Sequence, residues 1–269
     1  MGINNRQPVQ LHKGKIWHFS DEEKRHLMLA TAAFTFALGL LMAGGVLRIS
    51  AQGGLEQWIA IVLLSMPVML IAVGPAFLLH EIGHKIVAKK FGCWAEFRVD
   101  PSGLKFGIAF VALTGFLFMA PGAVMVAGLV TRRQNGHIAV AGPLTNLTLF
   151  LVGIPLWGLI LGLSGAFNGL PDTGSTLFGR EYLLDGRLVW QSMLVDAGVY
   201  WLGANLILGL FNMIPWGPLD GLKVKDWNDQ AFFTVIMVFA ILVFTMFTGV
   251  WTPTNVLQTI ADPISGFIR

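Results

Sequence analysis

Apolar residues recur along this chain in five long runs, at about 27–47, 57–79, 138–163, 189–211 and 231–251. Each reaches the roughly 20 residues that a helix needs to cross a hydrocarbon core. A sixth apolar stretch, about 106–130, has another texture. The turn-forming residues Asp100-Pro101-Ser102-Gly103 precede it, and Gly107, Gly115, Pro121, Gly122 and Gly128 interrupt it at intervals suited to turns and short strands. An extended hairpin or re-entrant element is expected there, because non-helical backbone at membrane depth persists only where protein or a wet cavity satisfies it. The pattern as a whole predicts an all-α polytopic membrane protein. About five to six transmembrane helices are expected, with a small β-hairpin or re-entrant element after the second. A polar tail (1–26) precedes a first helix and loop (27–56), a membrane core (57–225) and a C-terminal helix with a short tail (226–269).

Composition agrees with that reading and excludes a soluble domain. Hydrophobic residues make up 55% of the 269-residue chain and charged residues 12%, about half the usual 25% or so of a soluble domain. One cysteine rules out a disulfide framework. The formal net charge of +3 sits in inter-helix loops, so a lipid bilayer and not a nucleic acid is the expected surface partner. If the 106–130 element returns to its own side, 14 basic residues share the side of the N-terminal tail and 4 lie opposite. The N-terminus is then cytoplasmic by the positive-inside rule. If the element crosses, the count becomes 13 against 5, so charge alone does not decide the number of crossings.

Chemistry enters at the end of the second span, with His80-Glu81-Ile82-Gly83-His84. Histidines at i and i+4 share one helix face and can reach one metal ion, while the glutamate between them is better placed to act on metal-activated water. Ionisable residues inside a span are costly and functional by default. A catalytic zinc takes three protein ligands and keeps one position open. Asp220, in Asn212-Met213-Ile214-Pro215-Trp216-Gly217-Pro218-Leu219-Asp220-Gly221, is the best third ligand, although an Asp-Gly after two prolines also suits a plain loop turn. Asp220 reaches the side of His84 only if 106–130 does not cross. Lys85, Lys89 and Lys90 are expected to form a basic rim against lipid phosphate, and Gly74-Pro75 to kink the second span.

The His80–His84 motif in a membrane helix, followed by N-x-x-P-x-x-x-x-D-G over Asn212–Gly221, resembles the site-2 protease family of intramembrane zinc metalloproteases. Ala141-Gly142-Pro143-Leu144-Thr145-Asn146 is similar to that family's A-G-P-x-x-N segment. The resemblance covers about residues 60–225. It implies one zinc ion per chain on His80, His84 and Asp220, with Glu81 as catalytic base. It also implies that 106–130 corresponds to a β-rich element that presents an extended substrate strand. Asn146 lies at a depth suited to a recessed site, where its amide either stabilises an oxyanion or substrate backbone or serves as interhelical glue. Asn212 has the same two readings, and Asn205 precedes it by two helical turns.

The expected function is therefore hydrolysis of peptide bonds in or near transmembrane segments of membrane-protein substrates, as in regulated intramembrane proteolysis. The active site is recessed from the cytoplasmic side. A transporter, or a non-proteolytic homologue that keeps the zinc site, is the alternative. The loop 164–188 is too short for an inserted peptide-binding domain.

Overall fold

The structure, a computed structural model, describes residues 16–117, 119, 121–171 and 181–268. The basic residues Arg6, Lys13 and Lys15 and part of the 164–188 loop lie outside these. Among the described residues, five helical segments are long and apolar enough to span a membrane: Asp21–Arg48, Leu55–Lys90, Arg132–Ser164, Trp190–Asn212 and Asp229–Phe247. The protein is a multi-pass, all-α integral membrane protein.

Helix α1 (Asp21–Met42) starts at Ser20, whose hydroxyl accepts the Glu23 N–H, and carries three acids in its first turn, where the helix dipole favours them. The second span is two helices, α2 (Leu55–Ala72) and α3 (Gly74–Lys90), broken at Val73, two residues before Pro75. The interruption falls where a kink is expected at Gly74-Pro75, since a proline lacks the N–H that would continue the helix ladder.

The sixth apolar stretch differs from expectation in its first half. Strand β1 (Trp94–Val99) leads into a helix, α4 (Pro101–Thr114), and not into a turn. Asp100 is its N-cap, accepting the Ser102 N–H, and Pro101 occupies the first turn. Asp-Pro-Ser-Gly therefore acts here as a helix start, for which a capping acid followed by proline is equally suited. The chain ends α4 at Gly115 in the left-handed region and returns alongside it, with Met119 packed where a Cβ on Gly107 would be. It then forms β2 (Gly122–Ala127), antiparallel to β1, with Val99 opposite Gly122. Because residues 99 and 122 are paired, everything between them leaves and returns at one place. The element is re-entrant and does not cross.

Helix α5 (Arg132–Ser164) opens with a capping box between Thr131 and Gln134 and is the central post of the fold. Against it pack α3, α6 (Trp190–Asn212), the short α7 (Asp220–Trp227) and the C-terminal α9 (Pro253–Ile268), while α8 (Asp229–Phe247) lies outside α6 and α7. Lipid provides no hydrophobic drive between helices, so close contact relies on small residues. Ring edges and branched chains fill the space above glycines: Trp201 over Gly153, Ile260 over Gly158, Ile264 over Gly162 and Phe239 over Gly209. Within the tail that begins at 252, α9 is thus a packed helix, with Leu257 and Ala261 buried.

Candidate metal centre

His80 and His84 point from one face of α3 toward α5, and both are buried. Two glycines permit this approach. A Cβ on Gly142 would lie 2.5 Å from the His84 ring and 2.6 Å from that of His80, and one on Gly83 would lie 2.6 Å from Thr145 Oγ1. Each imidazole is oriented through its Nδ1. His80 Nδ1–H donates to Asn146 Oδ1 at 2.6 Å, and His84 Nδ1–H to the Ile138 carbonyl at 2.7 Å. These bonds fix the tautomer and leave both Nε2 atoms as acceptors.

The third donor comes from the first residue of α7. Asp220 Oδ2 lies 3.3 Å from His80 Nε2 and 3.1 Å from His84 Nε2, which are themselves 3.1 Å apart. Three acceptors so close repel one another unless a cation sits among them. Their spacing suits zinc, since ligands at about 2.0–2.1 Å in a tetrahedron stand roughly 3.3 Å apart. Gly221 is required beside it, for a Cβ there would lie 2.1 Å from the Met213 carbonyl oxygen at the end of α6. The N-x-x-P-x-x-x-x-D-G segment is therefore a tight corner from α6 into α7 that delivers Asp220 to the histidines.

Glu81 offers an oxygen within 4.8 Å of the ligand atoms of His80 and His84. Its Oε2 accepts the N–H of Val124 at 3.1 Å, which ties it to the outer edge of β2. Asn146 does not reach outward. Its Nδ2 donates to the Ala76 carbonyl and to Asn205 Oδ1, each at 3.0 Å, so with Oδ1 bound to His80 its donors are fully engaged. Of the two readings for Asn146, this geometry displays the interhelical one, with the amide bracing His80. The Asn212 amide donates to the Leu208 carbonyl one turn back. Asn205, two turns earlier, is the α6 residue that joins the network.

The basic rim is smaller than expected. Lys85 and Lys89 are 1% and 8% exposed, and both donate to the His18 carbonyl, so of the three only Lys90 lies open. The roles of the Ile138 carbonyl and the Val124 N–H carry no side-chain signature, and sequence reasoning had no means of finding them.

Comparison with known proteins agrees with this site. The model of peptidase family M50 matches residues 68–226. A protein of Methanocaldococcus jannaschii named as a putative zinc metalloprotease is 37% identical over 162 residues, covering 60% of this chain and 70% of that one. A Bacillus subtilis protein with the same kind of name is 28% identical over 169 residues, covering 60% and 68%. A second M. jannaschii protein, named a zinc metalloprotease, is 26% identical over 157 residues, covering 58% of this chain and 33% of its own length. No solved structure matches the chain significantly. The family match spans more than half of the chain and contains His80, Glu81, His84, Asn146 and Asp220, so the chain belongs to peptidase family M50, the site-2 protease family of zinc metalloproteases.

Proposed function

We propose that this zinc metalloprotease cleaves peptide bonds within or next to the transmembrane segments of other membrane proteins. The observation that carries the reading is the convergence of His80 Nε2, His84 Nε2 and Asp220 Oδ2 within 3.3 Å of one another, beside Glu81 and inside a bundle of membrane spans. His80, His84 and Asp220 are the zinc ligands and Glu81 is the base. Zinc held by these residues would supply Lewis acidity to the attacking water and the scissile carbonyl. Glu81 takes the proton of the attacking water and returns it to the leaving amine.

Depth supports the intramembrane part of the reading. His84 lies six residues from the end of α3, about 9 Å at 1.5 Å per residue, and its Ile138 partner lies equally far inside α5. Water reaches a site so recessed from the metal-side ends of the helices, and the charge asymmetry supports a cytoplasmic location for those ends and the N-terminus. A substrate helix has to unwind, because a helical carbonyl is hydrogen-bonded and shielded. The outer edge of β2 lies beside Glu81, where an extended substrate segment would run.

Glu81→Gln tests the assignment. The purified variant in detergent is expected to bind one zinc per chain and to leave a model transmembrane substrate uncleaved. Wild-type rates in that variant, or solute flux without proteolysis by the reconstituted parent, would sink the reading.

A further inference from the structure

Phe97 of β1 and Val124 of β2 face each other on one rung of the two-stranded ribbon. That rung is gripped at both outer edges by carboxylates. On the β2 side the Val124 N–H donates to Glu81 Oε2 at 3.1 Å, and on the β1 side the Phe97 N–H donates to Glu23 Oε1 at 3.1 Å. The second oxygen of Glu23 accepts from Lys85 Nζ. Lys85 follows Glu81 by four residues, so the two share a face of α3 and the circuit closes on the metal-binding helix. Glu23 and Lys85 are 0% and 1% exposed. The Lys85 ammonium also donates to the His18 carbonyl at 2.9 Å and lies 3.5 Å from the centre of the Phe19 ring.

Ion pairs this deeply buried contribute little net stability, because desolvating both charges offsets their attraction. Geometry is the better reason for this one. We propose that Glu23 and Lys85 are positioning residues for Glu81: they fix the far edge of the ribbon so that the Val124 N–H stays aimed at the Glu81 carboxylate. Phe97 also packs on Phe77 in the core, but without the grip on its N–H only Glu81 still holds a backbone amide of this rung, and Glu81 follows the rung's movements. The inference rests on Glu81 being the catalytic base.

Two double variants of the full chain separate positioning from stability. Glu23→Gln/Lys85→Met and Glu23→Leu/Lys85→Met both remove the buried charges, but only the first keeps an acceptor for the Phe97 N–H. With both folded and zinc-loaded, the first is expected to show a kcat about tenfold above the second, a part of the roughly 100-fold that a 1 Å misplacement can cost. Zinc affinity should be equal in the two, and amide hydrogen exchange over 122–127 should be faster in the second. Equal kcat and equal exchange, or a kcat loss matched by a loss of zinc affinity, overturns the proposal. If the leucine variant does not fold, Glu23→Asp withdraws the carboxylate from Phe97 while keeping its charge, and unchanged exchange over 122–127 overturns the proposal there. Failure of the base assignment reads differently: Glu81→Gln would be fully active whatever the exchange comparison gave.

Discussion

Asn146 acts on His80 from one side while tying α5 to α3 and α6 from the other. A partner on the distal nitrogen of a metal-binding histidine sets ring orientation and basicity, and its removal typically costs about 10–100-fold in metal affinity. Asn146→Ala is therefore expected to weaken zinc binding by about that factor in a chelator competition. An oxyanion donor would behave otherwise, lowering kcat while leaving zinc affinity untouched. Gly142 shows the same logic in space, since a single methyl there would enter the volume of both imidazoles. The chemistry-bearing residues are legible in the sequence because an acid or histidine inside an apolar run stands out. Their supports are not, because a carbonyl or amide N–H has no letter of its own.

Among the elements, α7 does the most with the fewest residues. Eight residues long, it carries Asp220 at its first position and Trp227 at its last. Trp227 packs onto Gly136, where a Cβ would come within 2.2 Å, and edge-on to His137 at 4.4 Å between ring centres. Arg132 adds an ion pair to Asp226 at 3.1 Å, worth little at the surface. Gly136→Ala sets two effects against each other. Alanine gains up to about 1 kcal/mol of helix propensity, whereas overpacking costs about 1–3 kcal/mol. The collision is with a Cβ, which cannot swing away, so overpacking wins. A lower Tm and weaker zinc binding are expected, because displaced Trp227 shifts Asp220 with it. A rise in Tm at unchanged zinc affinity would show that α7 is not seated this way.

At the scale of the molecule, the pairing of Val99 with Gly122 leaves five candidate crossings among the described residues, with His80, His84 and Asp220 at one end of the bundle. Thiol labelling with an impermeant reagent checks this directly. In a Cys93→Ser background, single cysteines at Glu22→Cys, Arg132→Cys and Asp226→Cys are expected to label from one common face of sealed vesicles. Ser50→Cys and Arg187→Cys should label from the other. Labelling of Arg132→Cys opposite to Glu22→Cys would mean that the sixth apolar stretch crosses after all.

The five apolar runs, the His80–His84 face and the Asp220 segment were each readable from the chain, because span length, helical periodicity and rare polar residues are local properties. Charge bias left 106–130 undecided, and local turn chemistry misread its first half, since Asp100-Pro101 suits a turn and a helix start alike. The pairing of Val99 with Gly122 settled it. Likewise, the sequence placed Lys85 on a lipid-facing rim, whereas the fold buries it against Glu23, 62 residues away in the chain. What joins distant segments depends on which surfaces meet, and only the packed structure determines that.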